Sequence, residues 1–219
     1  SFDLGEAEAK LTDAYRTLRQ EFNSMVHILV GIMERRNGEE EGSSEKLARL
    51  AKEFAEFAGL EGQQIQDVYY AALLRNIGKV SLSDVILNKA IGQMTRAEKQ
   101  EYAHFTINGQ TSLMLLEPLQ NASNIIRSHM ELYNGKGFPD KLSGDAIPKE
   151  ARILRIVTDY VEIQREYNFL GETLDEEQAR EYLLKMAGQR YDRELVDIFM
   201  DVLEDFDEGV VPNMERIPI

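Results

Sequence analysis

An apolar run between Val68 and Ile77 most constrains how this chain can fold. Up to Leu74 it consists of valine, tyrosine, alanine and leucine, which leave almost no polar face for a helix. A helix that is apolar on nearly all sides has to lie in the interior of a protein. The sequence therefore predicts a central buried helix, with Arg75 and Asn76 as polar interruptions towards its C-terminal end.

Helical periodicity recurs along the chain, whereas strand signals are scarce. Apolar residues follow the i, i+3, i+4, i+7 spacing over residues 47–58 and again over 153–161. Two further helix starts are predicted at Leu174 and Tyr191. Because no sustained period-two alternation is present, we predict an all-α fold with one core and an N-terminal helical arm.

The predicted arm covers residues 1–36 and precedes the glycine-rich, acidic break at 35–44. Its apolar residues have the spacing of a coiled coil or a docking helix. They are Leu11, Tyr15, Leu18, Phe22, Val26 and Leu29. This pattern predicts a signalling or dimerisation helix, and hence a possible homodimer.

Composition narrows the classes of partner and site. The net charge of −14 argues against a nucleic-acid binder, which usually carries a basic face. The absence of cysteine excludes disulfides and thiolate metal sites and fits a cytoplasmic protein. No apolar run approaches the roughly 20 residues that a membrane-spanning helix needs.

A second informative segment runs from His129 to Tyr160 and contains the loop Asn134–Pro139. Two glycines in this loop permit positive φ, and its proline fixes the exit. The segment resembles the HD-GYP hallmark, roughly HHExxDGxGYPxGLxGxxIPxxARIxxxxD. HD-GYP domains are a branch of the HD superfamily that hydrolyses cyclic di-GMP in bacteria.

Upstream segments extend the resemblance over about residues 40–205. RNIGK at 75–79 is similar to HDIGK, and EGSSEKLARL is similar to a stretch beginning GHSxRVAxYA. Residues 87–109 resemble LxKPGxLTxEExxxxxHxxxG, with His104 placed on the histidine. The resemblance implies an HD-domain-like helical bundle and leaves 206–219 as a C-terminal tail.

The resemblance also implies seven metal-ligand positions, four of which carry a different residue here. Ser43 stands at the first histidine, and Arg75 and Asn76 stand at the His-Asp pair. Met130 replaces the second of two adjacent histidines. An amide cannot bridge two cations as a carboxylate does, and a guanidinium repels metal. We therefore expect a degenerate domain with no catalytic residues and no cofactor.

A remnant pocket is expected from His104, His129 and Asp159, with Lys79 beside it. Two histidines and a carboxylate can bind one divalent metal, so a single iron or manganese at low occupancy stays an alternative. The other expectation is a filled polar cluster in which Arg75 pairs with Asp159.

Three cations are candidates for phosphate binding: Lys79, Arg152 and Arg165. Lys79 matches the lysine of HDIGK, which lies near the substrate phosphate in relatives, and an ordinary surface lysine is the alternative. For Arg152 a local salt bridge is the favoured reading.

The loop keeps its geometry while residues upstream depart from the pattern, which favours an interaction surface. Its members are Asn134, Gly135, Lys136, Gly137, Phe138 and Pro139. The resemblance makes a signalling partner plausible, such as a GGDEF-type domain. An exposed Phe138 would be an aromatic anchor of the kind that interfaces favour.

These observations predict a catalytically inactive or strongly impaired HD-GYP domain that acts as an interaction or output module in bacterial signalling. Its arm is expected to connect to an input domain such as a response-regulator receiver. Three alternatives stay open: a nonhydrolytic cyclic di-GMP receptor, a residual metal-dependent phosphodiesterase, and a purely structural dimerisation domain.

Overall fold

The computed structural model describes residues 4–166 and 168–207, and for Phe206 and Asp207 only the backbone. Within these ranges the chain is all-α and contains no named strand, as predicted. Ten α-helices are present: α1 Leu4–Asn37, α2 Ser43–Phe57, α3 Gln63–Leu74, α4 Asp84–Leu87, α5 Arg96–Ala103, α6 Phe105–Leu113, α7 Gln120–Ser128, α8 Lys149–Glu162, α9 Glu176–Met186 and α10 Arg193–Asp207.

The apolar run forms the centre of the bundle. Helix α3 packs against α2, α7 and α8, and Val68 and Ala71 through Leu74 are completely buried in it. Burying each of the valine and leucine side chains stabilises the fold by roughly 1.5–3 kcal/mol relative to leaving it exposed. The predicted central helix is therefore confirmed, except that it ends at Leu74 and a separate 3-10 turn begins at Ile77.

Helix α1 is 34 residues long and is followed by the loop that carries Glu39. It ends at Asn37, within the predicted break, where Gly38 and Gly42 adopt positive φ. The buried carboxylate of Glu34 accepts hydrogen bonds from the backbone N–H groups of Gly42 and Ser44, at 2.9 and 2.8 Å. A carboxylate at this place pairs with backbone N–H groups that have no partner within α2. Its negative charge also interacts favourably with the partial positive charge at the N-terminus of the helix.

A second, smaller apolar cluster lies beside the main core. Leu82, Ile86, Met94 and Phe105 form it, and Met130 packs against it. The residues after α3 and the helix α6 are thereby joined above the end of the central helix.

The predicted tail at 206–219 overlaps the last turn of α10, which continues to Asp207. Residues 208–219 lie outside the described residues. None of the described helices combines the length and the apolarity that a bilayer crossing requires.

Two glycines allow the backbones after α3 and within α6 to touch. A Cβ atom on Gly78 would collide with the carbonyl oxygen of Phe105 and lie 2.6 Å from the nitrogen of Gly109. A Cβ on Gly109 would in turn meet Ile126 at 2.9 Å. This contact fixes how α6 sits against the pocket.

We expect Gly78→Ala to lower the free energy of unfolding by about 1–3 kcal/mol, because the methyl group forces two backbones apart. Urea denaturation of the purified chain measures the change. Gly92→Ala is the matched control, since nothing lies within 4 Å of its built Cβ. Equal stability of the two variants would contradict the close approach.

Candidate functional site

Arg75 lies immediately after α3 and is completely buried. Its Nη1 donates to the carbonyl oxygen of Ala72 at 3.1 Å, and its Nη2 lies 3.9 Å from a carboxylate oxygen of Glu39. Burial lowers the pKa of Arg75, and attraction to Glu39 and Glu162 opposes that shift. The predicted pairing with Asp159 is wrong, because the carboxylate of Glu39 is the ion-pair partner.

Glu39 also holds the neighbouring amide. Its carboxylate accepts from the Asn76 side chain at 2.8 Å, while the Asn76 carbonyl accepts from Asn37 at 3.2 Å. One carboxylate from the α1–α2 loop thus serves both residues at the His-Asp position of the HD-GYP pattern. Sequence reasoning missed Glu39 because it lies in an acidic run that was assigned to a solvated break. A buried arginine needs a carboxylate partner, and that requirement could have pointed to a nearby acidic residue such as Glu39.

Ser43 begins α2 close to this pocket and is buried. Its hydroxyl and that of Ser44 have no hydrogen-bond partner within the described part of the chain. A serine here supplies neither the nitrogen lone pair nor the reach of a ligating histidine.

His129 caps the C-terminus of α7 and is almost entirely buried. Its Nδ1 lies 2.6 Å from the carbonyl oxygen of Ile126, so Nδ1 carries the proton and Nε2 has a free lone pair. Nε2 is buried without a partner among the described residues. Burial, with the positive charges of Arg155, Arg75 and Lys79, lowers the pKa of His129 to about 3.

His104 does not face this pocket. Its ring is exposed and bonds to the carbonyl oxygen of Gln100 at 2.7 Å. Phe105 is buried instead, with its ring 5.8 Å from that of His129. Counted back from Gly109, the HxxxG spacing ends at Phe105, and the structure brings Phe105 rather than the predicted His104 beside His129.

Asp159 shows the same displacement in α8. It accepts from Arg155 and from the Tyr191 hydroxyl, both at 2.7 Å, and from Arg190 at 3.2 Å. The ARIxxxxD spacing counted from Ala151 ends at Thr158, whose buried hydroxyl has no partner among the described residues. Asp159 is therefore one residue past the pattern's aspartate.

Arg155 links two of the predicted positions. Besides its ion pair with Asp159, it donates from Nη1 to the sulfur of Met130 at 3.0 Å. Burial and the charge of Asp159 raise the pKa of Tyr191, which keeps its hydroxyl proton available for donation. The site around Asp159 is thus a filled network of cations and a phenol.

The residues present do not fit the metal cluster that the resemblance implies. The described residues contain no group of three or more histidine, aspartate or glutamate side chains that could hold a metal ion. Of the seven positions, counted with the corrected register, only His129 offers a ligand. Arg75 and Arg155 place buried positive charge around it, which opposes cation binding.

The three candidate phosphate-binding cations differ in their surroundings. Arg152 is ion-paired with Asp145 at 2.9 Å and with Asp192, which is the local salt bridge favoured from sequence. Arg165 is paired with Glu162 at 3.3 Å. Both arginines therefore already have carboxylate partners.

Lys79 alone of the three lacks a hydrogen-bonded or ion-paired partner in the described chain. Its ammonium group lies 5.1 Å from the centre of the Phe105 ring and 5.7 Å from that of Tyr102. Burial works against the charged form, but attraction to Tyr102, Glu162 and Glu39 prevails and raises the pKa of Lys79.

The loop Asn134–Pro139 folds back on the segment before it. A Cβ atom on Gly137 would lie 2.5 Å from the Cα of Glu131, so the approach requires glycine. The buried Glu131 carboxylate accepts from the backbone N–H of Asp140 at 2.7 Å. Its geometry is therefore set by internal contacts.

Phe138 is half-buried rather than an exposed anchor. Its ring lies 6.2 Å from that of Phe105 and 6.5 Å from that of Tyr102. Asn134 and Lys136 are the exposed members of the loop. The expected aromatic contact for a partner is thus used internally.

Residues 27–195, well over half of the chain, match the family model described as "HD domain". The chain belongs to the HD domain family. Its curated relatives are of the HD-GYP type, so the resemblance drawn from the motifs is confirmed.

Two relatives and two solved structures illustrate what this HD domain is similar to. "3'3'-cGAMP-specific phosphodiesterase 2" of Vibrio cholerae is 27% identical over 93% of this chain and 42% of its own length. "Cyclic di-GMP phosphodiesterase response regulator RpfG" of Xanthomonas campestris pv. campestris is 28% identical over 88% of this chain and 51% of its own. The chain therefore spans about half the length of these relatives.

The structural comparisons agree on the fold. A crystal structure of the V. cholerae cyclic GMP-AMP phosphodiesterase V-cGAP3 superimposes with a TM-score of 0.64 at 18% identity, over 82% of this chain and 49% of that one. Bd1817, an HDG"Y"P protein from Bdellovibrio bacteriovorus, gives 0.57 at 19% identity, over 72% of this chain and 50% of that one.

The buried neutral state of His129 predicts a pH-dependent stability. Its pKa is about 3 when folded against an ordinary 6.5, so between these values the unfolded chain binds a proton that the folded chain does not. This contribution is present above about pH 6.5 and is lost as the pH falls, by up to about 1.4 kcal/mol per pH unit. Urea unfolding between pH 7 and pH 5 measures it.

His129→Asn should remove that slope, because its amide can replace Nδ1–H and does not titrate. His104→Asn is the control, since the exposed ring should leave the wild-type slope unchanged. If the wild type and His129→Asn lost stability in parallel, the buried neutral imidazole would be refuted.

Proposed function

We propose that this HD domain does not hydrolyse cyclic dinucleotides and acts as an interaction module in signalling. The observation that carries the proposal is the buried guanidinium of Arg75, which stands at the first residue of the HD pair and is ion-paired with Glu39. Metal-dependent hydrolysis needs a metal-bound hydroxide and a clamp on the phosphate oxygens. A permanently charged side chain at the pocket centre opposes the first requirement.

Internal cations take over the structural part of a metal's task in this proposal. Metal ions in such a pocket would join segments through shared charge. Here Arg75 faces Glu39 of the α1–α2 loop, and Arg155 and Arg190 face Asp159 of α8. The pocket then stays assembled without metal, and the domain is free to serve as a scaffold.

The proposed role draws on the relatives only for its setting. Two of them are named as acting on cyclic di-GMP or 3'3'-cGAMP, and one of these is named as a response regulator. A signalling protein, for example a GGDEF-type domain, is our proposed partner, contacted near the exposed Asn134 and Lys136. The half-buried Phe138 would stiffen this loop rather than anchor the partner.

The first test measures metal and turnover together. We expect protein purified without chelator to contain well below one equivalent of iron or manganese and to leave cyclic di-GMP and 3'3'-cGAMP intact. Elemental analysis and chromatography of the nucleotides provide the readouts, with the Xanthomonas relative as positive control. More than one equivalent of metal with turnover would overturn the proposal.

Restoring the ligand positions should restore metal binding. The variant combines Ser43→His, Arg75→His, Asn76→Asp, Phe105→His, Met130→His and Thr158→Asp. We expect it to bind at least one equivalent of manganese by elemental analysis. A matched variant that keeps Phe105 and Thr158, and so relies on His104 and Asp159, should bind less. Equal binding by both would contradict the corrected register.

The internal cation is tested by stability. Arg75→Ala leaves the Glu39 carboxylate buried without its cation, and breaking a buried pair in this way costs about 3–5 kcal/mol. Adding Glu39→Gln removes that charge and should recover part of the loss in a double-mutant cycle. Unchanged stability of Arg75→Ala in urea denaturation would refute the role.

One observation favours a second function, a nonhydrolytic receptor for cyclic di-GMP. The ammonium group of Lys79, which has no ion-pair partner among the described residues, could meet a phosphate oxygen. Calorimetry with cyclic di-GMP tests it, with Lys79→Ala as the matched variant. Heat that disappears in Lys79→Ala would support the receptor, and silence at high micromolar ligand would remove it.

A further inference from the structure

An apolar stripe that no described residue covers runs along α1, apart from the pocket. We call it the α1 seam. It consists of one apolar residue in every seven, each between 50% and 78% exposed. The members are Leu4, Leu11, Leu18, Met25 and Ile32. Of these, sequence reasoning had recognised only Leu11 and Leu18.

The spacing of the α1 seam is that of one core position of a coiled coil. A strict seven-residue repeat drifts slowly around a straight helix and is matched by left-handed supercoiling against a second helix. The second core position falls four residues after each seam residue, on Glu8, Tyr15, Phe22, Leu29 and Arg36. Tyr15 is 70% exposed, whereas Phe22 and Leu29 pack against the domain core.

Among residues 22–166 and 168–205, no side chain covers the N-terminal half of α1. Every residue from 4 to 21 is exposed, so the domain covers none of this segment. In proteins most of the stability of a helix comes from packing of its apolar face rather than from helix propensity. Local ion pairs such as Lys10–Glu6 add only about 0.3–0.5 kcal/mol each. A packed partner along the seam supplies what the segment lacks.

We propose that the partner is a second copy of this chain, paired through α1 in parallel. Residues 4–21 contain four acidic and three basic side chains and are therefore nearly neutral, whereas the whole chain has a net charge of −14. Self-association along this nearly neutral segment keeps the acidic domains away from the interface. A narrow seam also differs from the broad apolar face of a membrane-surface helix, and an acidic chain is repelled by anionic lipid.

The parallel orientation follows from which positions are free. Both core positions are uncovered only in the N-terminal half, because Phe22 and Leu29 are occupied by the domain. A parallel pair sets this complete half against its equivalent in the partner copy. An antiparallel pair would set it against the half that the domain already uses.

The mass in solution tests the proposal. We expect sedimentation equilibrium to give twice the chain mass of 25.0 kDa, and Leu11→Glu with Leu18→Glu to give the monomer. Leu115→Glu is the control, since Leu115 is 89% exposed but lies off the seam. We expect this variant to stay dimeric. Far-ultraviolet circular dichroism and thermal unfolding check that the domain stays folded. A monomeric wild type, or a dimeric double variant, would overturn the proposal.

Crosslinking tests the seam and its direction, and the cysteine-free chain gives no background. In a parallel pair Leu11→Cys faces its equivalent closely enough for a disulfide, so oxidation should yield a covalent dimer on a non-reducing gel. Gln20→Cys lies on the outer face and should remain monomeric on the gel. Crosslinking of Gln20→Cys in place of Leu11→Cys would exclude the seam. The homodimer would also be rejected if the wild type were monomeric alone and formed a complex only with a different helical protein.

Discussion

The carboxylate of Glu39 is the interaction on which the arrangement of the pocket depends. It comes from the loop between α1 and α2, and it reaches the residues after the central helix at Arg75 and Asn76. A buried guanidinium without a carboxylate would carry an uncompensated charge, which proteins tolerate poorly. This requirement holds the loop between α1 and α2 against the end of α3.

The fold was largely predictable, since it follows from patterns that local physics imposes. The apolar run at Val68–Leu74 gave the central helix, and the apolar spacing at 47–58 gave α2 up to Gly59, where positive φ ends it. Resemblance to the HD-GYP pattern added the bundle. These signals depend on local periodicity and turn chemistry, so they can be recognised without knowing which residues contact each other in the fold.

The site was less predictable, because neighbouring residues in the sequence competed for the same place. His104 precedes Phe105, and Asp159 follows Thr158, so the chemically expected residue was chosen at both positions. In α6 the close approach of Gly78 to Phe105 and Gly109 sets Phe105 beside the pocket, and this contact depends on the fold. The partner of Arg75 was hidden for a similar reason, since an ion pair across the chain depends on the fold and not on spacing. With Phe105 beside His129 and Arg155 on Met130, the pocket centre is more apolar and more cationic than the motifs alone suggested.

The end of α1 has a mechanical consequence. Within four residues of each other, Glu34 holds two amides of the α2 start, Arg36 bonds to the carbonyl of Leu82, and Asn37 bonds to the carbonyl of Asn76. These bonds point in different directions from one short stretch of helix. The helix therefore cannot rotate about its own axis without breaking several of these hydrogen bonds at once. A rotation imposed on the helix further towards its N-terminus is delivered to the backbone beside Arg75.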